Sequence, residues 1–435
     1  MLLRQYNKIG WLMNVNESRI AVIGLGYVGL PLAVEFGRLY STLGFDINRR
    51  RVERLLKGED ANLEVPASRL HGSHKLRISS DVEELQHYNV YVVAVPTPAE
   101  DGKPNLKPLI AACEMLGKVV KQGDVIIFES TVYPGATEEQ CIPVIEQVSG
   151  LKLNSEFVVG YSPERINPGD KGRALSKVAK LVSGSTPDAE KYIRELYSSI
   201  IDADVHAVSS IRVAEAAKLI ENVQRDVNVA LINEFSMIFR RLGIDTEEVL
   251  KAAETKWNFA SYRPGLVGGH CIGVDSYYLA YKAQEIGHHP QLTLSGRRVN
   301  EGMADHVVSE LIKLMLYRQQ TLNKAKVLIL GVTFKENCPD LRNTKVINIV
   351  RKLKNNGIEV DVYDPRADKD ETLNLYDVSL ISYPVVAAYD AVLIAVAHDE
   401  FRCFDESTIR SWGKSSCIIY DLKYILPKSS SDLRL

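Results

Sequence analysis

No apolar run in this chain approaches the ~18 residues that cross a bilayer, so no membrane-spanning helix is expected. An excess of one charge sign is lacking too. Lys and Arg number 53 against 55 Asp and Glu, which leaves a net charge of -2. Such a balance gives no field to hold nucleic acid or an anionic membrane surface. Cysteine is sparse, with six residues at 113, 141, 271, 338, 403 and 417 and no pair spaced as C-x-x-C. That excludes the usual zinc and dithiol motifs, so no metal is expected, and the thiols suit a reducing cytoplasm. The start, Met1–Met13, is polar and basic and has no apolar segment of secretory type. Met13 offers a second start, and residues 1–18 read as an N-terminal extension. Repeats are absent, and the only low-complexity patch is the short run Ser429–Ser431.

What is present is an ordinary globular composition, 46% apolar and 25% charged, in 435 residues. Two or three domains are expected at that length. Arg19–Ile23 is a β-type run, followed at once by Gly24-Leu25-Gly26-Tyr27-Val28-Gly29 and a helical pattern over Leu30–Leu39. In strand–turn–helix context this is the dinucleotide-binding fingerprint. The first glycine makes the turn, the second admits a pyrophosphate, and the third packs helix on strand. Gly24, Gly26, Tyr27, Val28 and Gly29 are therefore the cofactor candidates. Asp46 stands 22 residues after Gly24 at the end of the next strand. An acid there hydrogen-bonds ribose hydroxyls and repels a 2′-phosphate, which favours NAD over NADP.

Val90–Val95 and Val125–Phe128 are continuous apolar runs of the kind found in sheets covered on both faces. They end in Pro96-Thr97-Pro98 and Glu129-Ser130-Thr131. Ligands meet parallel sheets beyond the carboxyl ends of strands, so Thr97, Ser130 and Thr131 are candidates, against the plainer reading of turn residues bonding their own backbone. Glu164 follows another short strand, Phe157–Gly160. Val178–Val182 and Ala203–Val208 read as the last strands of this domain.

From Ile211 to about Leu242 there is no proline or glycine, and apolar residues recur at helical spacing. The helix is apolar on more than one face, which suits burial between domains or subunits. Glu215, Lys218 and Asn222 share one stripe of it. Solvent or an active site would each explain them. Beyond it lies Pro264-Gly265-Leu266-Val267-Gly268-Gly269-His270-Cys271-Ile272-Gly273-Val274-Asp275. Cys271 on so glycine-rich a stretch is either a small apolar filler or a nucleophile. Ser276–Ile286 and Leu294–Leu316 read as helices. A second α/β unit starts at Lys326, with strands at Val327–Leu330, Glu359–Tyr363, Ala391–Ala395 and Cys417–Tyr420, and it lacks the glycine fingerprint. Lys335 and Arg342 could meet phosphate or sugar there, or be surface cations. The expected fold class is α/β: two Rossmann-like parallel-sheet domains joined by a long central helix and a small helical middle domain. The segments are 1–18, 19–208 for NAD, 209–318 for the central helical part with the cysteine loop, and 319–435 for the C-terminal part.

An NAD site plus a thiol suggests oxidation through a covalent intermediate. A thiolate adds to an aldehyde, hydride loss leaves a thioester, and water releases an acid. Lys218 and Asn222 would hold the oxyanion, and Asp275 or Glu164 would serve the water.

With these motifs in hand, the chain resembles the UDP-glucose/GDP-mannose dehydrogenase family, the UDP-sugar 6-dehydrogenases, from about Arg19 to Leu426. The markers are Gly24–Pro31, Val95-Pro96-Thr97-Pro98, Ser130-Thr131-Val132, Ser162-Pro163-Glu164-Arg165, Lys218 with Asn222, Gly268–Cys271 with Asp275, and Thr333-Phe334-Lys335 with Arg342. The resemblance implies oxidation of a sugar C6 alcohol to a carboxylate with two NAD⁺. It implies Cys271 as thioester nucleophile, Lys218 and Asn222 at the oxyanion, and Thr131, Glu164 and Asp275 around the water. It implies a UDP-sugar held by Lys335 and Arg342, with Arg165 and Gly268 at the substrate, the segment Asn258–Arg263 including Tyr262 along the nucleotide, and a homodimer built on the long helix. The form Arg263-Pro-Gly-Leu-Val-Gly-Gly-His-Cys-Ile-Gly-Val-Asp275 resembles the branch acting on UDP-GlcNAc or UDP-GalNAc, which serves bacterial O-antigens and capsules. Where UDP-glucose enzymes carry a lysine before the aspartate, Val274 stands here. Ser276 replaces the family's usual proline, and serine also starts helices well. UDP-N-acetylmannosamine and UDP-glucose remain alternative substrates. A one-step 3-hydroxyacid dehydrogenase and a non-catalytic nucleotide-sugar sensor are the alternatives of other classes.

Overall fold

The computed structural model describes residues 14–100, 102–165, 175–269 and 272–435. Met1–Met13, the segment after Arg165 through residue 174, and the pair His270-Cys271 lie outside the described residues. The chain divides into two compact units, Met1–Glu221 with Tyr277–His288, and Asn222–Ser276 with His289–Leu435.

The first unit is built on an eight-stranded sheet. In chain order the strands are β1 (Arg19–Ile23), β2 (Ser41–Phe45), β3 (Leu76–Ser79) and β4 (Val90–Val93). A small hairpin of β5 (Ala99–Glu100) and β6 (Lys103–Pro104) stands apart. The sheet resumes with β7 (Val125–Phe128), β8 (Val158–Tyr161), β9 (Lys180–Gly184) and β10 (Val205–Ala207). The strand order is β10-β9-β8-β7-β4-β1-β2-β3. The helices are α1 (Gly29–Leu39), α2 (Arg49–Leu56), α3 (Ala67–Gly72), α4 (Lys107–Gly117), α5 (Ile142–Ser149) and α6 (Pro187–Ser198). Every residue of β4, β7 and β8 is buried, as expected for strands covered on both faces. The sheet is not parallel throughout. β9 runs antiparallel to β8, pairing Gly160 with Gly184 and Tyr161 with Ser183. A parallel return needs a crossover element of a dozen or more residues. Between β8 and β9 the described residues hold only a three-residue 3-10 turn, Leu175–Lys177.

α7 (Ile211–Leu242) leaves the first unit and enters the second. Its 32 residues contain no glycine or proline, and Gly243, at φ +71°, ends it. α8 (Thr246–Ala253), α9 (Ile272–Glu285) and α10 (Gln291–Tyr317) follow. α9 begins four residues before the expected Ser276. Asp275 in its first turn complements the positive end of the helix dipole, which offsets the cost of Gly273 inside the helix.

The second unit has a five-stranded sheet, all parallel, in the order β12-β11-β13-β14-β15. Its strands are β11 (Lys326–Leu330), β12 (Glu359–Tyr363), β13 (Tyr389–Ile394), β14 (Gly413–Asp421) and β15 (Leu433–Arg434). Val307, Leu311 and Met315 of α10 pack with Ile347, Val350 and Leu353 of α11 (Val346–Asn355) on one face. Phe401, Ile409 and Trp412 cover the other. Full burial of each such side chain is worth roughly 1.5–3 kcal/mol. The fold is thus mixed α/β with two Rossmann-like sheets.

Candidate active site

The glycine turn is built as its spacing predicts. Gly24 has φ +92°, and a Cβ on it would lie 2.8 Å from the Ala94 carbonyl oxygen. On Gly29 a Cβ would fall 1.8 Å from the Gly24 oxygen. At Gly26 a Cβ would meet nothing within 4 Å, so this face of the turn is open. α1 starts at Gly29 behind Val28, and no side chain caps it. Pro31 has no N–H, and the N–H groups of Leu30 and Leu32 donate to the Gly26 and Val28 carbonyls at 3.1 and 3.4 Å, so what the helix offers an anion is chiefly the positive end of its dipole. Asp46 follows β2 and is half-buried. It accepts hydrogen bonds from the N–H of Leu25 at 2.9 Å and of Asn48 at 2.8 Å. These contacts fix an acid beside the glycine turn, and the fit to an NAD ribose is good.

The next loops on the same sheet edge are tied to one another. Thr97 donates its hydroxyl to the Thr131 carbonyl at 2.7 Å, and Ser130 donates to the Val95 carbonyl at 2.7 Å. The Tyr278 hydroxyl donates to the Thr97 carbonyl at 2.7 Å. The hydroxyls of Thr97 and Ser130 thus bond the backbone of each other's loops rather than of their own turns. Glu164 is 5% exposed. Arg165 pairs with Glu221 at 2.8 Å and donates to the Ala179 carbonyl at 2.9 Å. Lys218 is 7% exposed. Glu215, one turn before it, accepts the N–H groups of Gly135 at 2.6 Å and Thr137 at 3.0 Å. Burial pushes its carboxyl up to about 7, against the pull of those donors.

In the second unit Asn222 donates from Nδ2 to Asp275 Oδ2 at 2.6 Å, with both side chains buried. One turn further on, Asp226 accepts from Ser276 Oγ at 2.6 Å, Arg297 Nη1 at 2.8 Å and Asn300 Nδ2 at 2.7 Å. The start of α9 is thereby stapled to α7 at two successive turns. The loop before Cys271 is gripped as well. Asn233 accepts the Gly265 N–H at 2.8 Å and returns a bond to the Gly265 carbonyl at 3.0 Å. Asn343 donates to the Gly269 carbonyl at 2.8 Å. The glycines of this loop serve the protein's own packing. A Cβ on Gly268 would lie 2.6 Å from the Asn343 carbonyl oxygen, and one on Gly269, at φ +82°, 2.9 Å from the Phe334 ring. Gly265 alone of these faces open space.

Two of the remaining candidates are held by acids. Arg263 pairs with Glu247 at 3.0 Å and Glu254 at 2.5 Å, and the Glu254 hydrogen bond raises its pKa. Arg342 is clasped by Asp340 through Nε at 2.9 Å and Nη2 at 2.5 Å. Tyr262 and Lys335 are half-buried and Asn258 is exposed. Tyr27 is half-buried in the glycine turn. His270 and Cys271 lie outside the described residues. No cluster of metal-ligand type occurs among the described residues.

Sequence reasoning missed Asp226, Asn233, Arg297, Asn300 and Asn343. For two of them a signal was present. Glu215, Lys218, Asn222, Asp226 and Asn233 fall on one helical stripe, and following that stripe past Asn222 would have found both.

An open glycine turn, an uncapped helix and an acid on the adjoining strand define a dinucleotide-binding α/β protein. Family models place it more narrowly. The UDP-glucose/GDP-mannose dehydrogenase NAD binding domain matches residues 18–201, the central domain residues 212–302 and the UDP binding domain residues 328–428. A UDP-N-acetyl-D-glucosamine 6-dehydrogenase of Pseudomonas aeruginosa is 54% identical over 97% of this chain and 100% of its own. One of Salmonella typhi is 49% identical over 98% and 100%. Among solved structures, a UDP-D-ManNAc dehydrogenase from Pyrococcus horikoshii superposes with a TM-score of 0.88 at 30% identity, over 96% of this chain and 98% of that one. The chain belongs to the UDP-glucose/GDP-mannose dehydrogenase family, and it is an NAD-dependent oxidoreductase.

Proposed function

We propose that the protein oxidises the C6 hydroxyl of a UDP-N-acetylhexosamine, UDP-GlcNAc or UDP-GalNAc, to the uronic acid, for bacterial surface polysaccharide. The observation that carries this reading is the buried Asn222–Asp275 bond at 2.6 Å, which fixes an amide and an acid at the start of the helix that follows Cys271. A one-step alcohol oxidation has no use for a cysteine followed so closely in sequence by a buried acid. Hydrolysis of a thioester has. The 54% identity to a UDP-N-acetyl-D-glucosamine 6-dehydrogenase supports the choice of sugar.

When bound, NAD⁺ supplies the hydride acceptor, once for each of the two oxidations. The chain's residues do the rest. The open Gly26 face and the α1 N-terminus take the pyrophosphate, and Asp46 takes the ribose. Cys271 attacks the aldehyde carbon to give a thiohemiacetal, which becomes the thioester. Lys218 and Asn222 stabilise the oxygen as negative charge develops on it. Asp275, Glu164 and Thr131 order the water that cleaves the thioester. Arg165, Asn258, Tyr262, Arg263, the Gly268 backbone, Lys335 and Arg342 bind the UDP-sugar. For Arg263 and Arg342 this requires sharing with the acids that now hold them. These tasks divide along the chain into an extension at 1–18, the NAD part at 19–208, the central part at 209–318 and the UDP-sugar part at 319–435.

We also propose a homodimer in the cytoplasm. Leu231, Phe235, Ile238 and Leu242 recur at helical spacing on α7 and are each at least 39% exposed. A stripe of that kind needs a cover.

The test is NADH formed per sugar consumed, over a panel of UDP-sugars. The expected ratio is two, with an N-acetylated sugar preferred. A ratio of one removes the thioester route and leaves a one-step dehydrogenase, and no turnover leaves a sensor. Cys271→Ser should keep NAD binding and lose efficient acid formation. Wild-type acid yield from that variant would sink the role given to Cys271.

A further inference from the structure

Behind the loops that carry Thr131 and Glu164 lies a buried ion pair that the mechanism above does not use. Glu129 ends β7's apolar run and directly precedes Ser130 and Thr131. Its side chain is 0% exposed, and it pairs with Lys180, 3% exposed, at 2.5 Å. The Tyr197 hydroxyl donates to the other Glu129 oxygen. Lys180 makes a second bond, donating to the carbonyl oxygen of Pro163 at 3.1 Å. Pro163 directly precedes Glu164. The Lys180 ammonium also lies 5.4 Å from the Tyr197 ring centre.

Topology explains how a lysine reaches this place. β9 is reversed relative to β8, and β10 runs with it, so the first residue of β9, Lys180, stands at the sheet edge where β1 to β4, β7 and β8 end. A parallel β9 would begin at the opposite edge. Desolvation makes a buried ion pair a poor source of stability compared with two apolar side chains. The pair therefore asks for another reason, and the second bond, to Pro163, supplies one.

We propose that Lys180 is a positioning residue: it ties Pro163 to Glu129 and so sets the spacing between the loop carrying Glu164 and the loop carrying Thr131. This rests on the reading of Glu164 and Thr131 as groups that order the hydrolytic water. Lys180 touches neither substrate nor cofactor in this scheme. Its loss should slow thioester hydrolysis more than the two oxidations, because only hydrolysis needs both loops in register around one small molecule. Glu129, held by two donors, is the anchor, and Glu164 lies close enough for the two acids to repel.

Lys180→Met alone would strand Glu129 without a counter-ion, so the informative variant is Lys180→Met with Glu129→Leu. That pair removes both charges at nearly constant volume and should fold. The wild type and the double variant are assayed side by side with NAD⁺ and UDP-GlcNAc or UDP-GalNAc. The proposal expects kcat to fall at least ~10-fold in the variant, with kcat/KM for both substrates within about twofold, because hydrolysis follows both hydride transfers. It further expects a burst of NADH and a sugar-nucleotide adduct on the protein in intact-mass spectra. A kcat within twofold of wild type, or a fall in kcat with no burst and no adduct, overturns it. Should the double variant fail to fold, Lys180→Gln is measured by the same readouts, and the same results support or overturn the proposal. Absence of turnover in the wild type would instead strike the functional reading itself.

Discussion

The ends of β1 and β11 have the same construction. Gly24 follows β1 at φ +92°, and Gly331 follows β11 at φ +91°. The Gly24 N–H donates to the Phe45 carbonyl at 2.8 Å, and the Gly331 N–H to the Tyr363 carbonyl at 2.9 Å. An aspartate comes next on each neighbouring strand. Asp46 accepts the Leu25 N–H at 2.9 Å, and Asp364 the Val332 N–H at 2.7 Å. There the likeness stops. After Gly24, α1 begins within five residues; after Gly331, α11 waits until Val346. Asp46 is half-buried and accepts from two backbone N–H groups. Asp364 is 5% exposed and also takes the N–H groups of Thr333, Arg366 and Ala367, with His398 Nε2 at 3.2 Å. The first end offers an acid and a helix terminus to a ligand. The second has closed its acid into the fold, and whatever it binds must be met by the long loop bearing Lys335 and Arg342.

The comparison breaks most readily at Asp364. Asp364→Ala would leave four N–H groups and a buried imidazole without their acceptor, and each orphaned donor costs about 1–3 kcal/mol. Partial relaxation should leave a net loss of about 4 kcal/mol, measured by denaturant unfolding. Asp46→Ala should cost less than about 1 kcal/mol in the same measurement. Equal losses would mean that Asp46 is as structural as its counterpart.

The glycines come next. An alanine at either position meets both a left-handed φ and a close neighbour, the Ala94 carbonyl oxygen at 2.8 Å or the Val396 Cβ at 2.4 Å. Each should lose about 2–3 kcal/mol of stability. Only Gly24→Ala should also weaken NAD binding, at least ~10-fold by calorimetry. Gly331→Ala should leave the NAD dissociation constant within about twofold. Weakened NAD binding in Gly331→Ala would show that the second sheet is no bystander to the cofactor.

A smaller effect sharpens the contrast of ligand chemistry. Asp46→Asn keeps the bond from Leu25 but loses the charge that favours ribose hydroxyls and repels a 2′-phosphate. The preference for NAD over NADP should fall by roughly 10-fold, about 1.4 kcal/mol. An unchanged preference in steady-state assays would remove Asp46 from the ribose.

Much of this was legible from sequence where local physics decides it. α7 was bounded at Ile211 and Leu242 because a run without glycine or proline has few ways to end. Gly24, Gly26 and Gly29 declared three separate tasks. What stayed hidden is non-local. Nothing in β9's composition says that it pairs backwards. Nothing around Gly268 and Gly269 says that their missing side chains make room for Asn343 and Phe334, which lie some 70 residues on. His398 reads as any histidine after a strand until Asp364 is placed beside it. The positions Asp226 and Asn233 were within reach, because helical periodicity alone carries the stripe to them.

The two units also hold buried acids of opposite habit, and pH separates them with the smallest effect. Burial would raise Asp364, but the His398 hydrogen bond and charge and the backbone donors draw it below the ordinary carboxylate range. Its stability contribution is present above pH ~4 and is lost as pH falls through the lowered folded value. For Glu215 burial wins and the carboxyl rises to about 7. Between about pH 4.3 and 7 the folded state then holds a proton that the unfolded state has released, so stability falls as pH rises through that window. The displacement sets a ceiling of about 3 kcal/mol, and relaxation around the carboxylate lowers the expectation to on the order of 1 kcal/mol. Glu215→Gln cannot titrate and keeps an acceptor for Gly135 or Thr137. It should flatten the stability profile between pH 4.5 and 7.5 by about that amount while leaving the loss below pH 4 in place. Denaturation midpoints across the range decide the matter. An unchanged slope in the variant would mean that Glu215 is ionised throughout, held so by the two N–H groups it accepts.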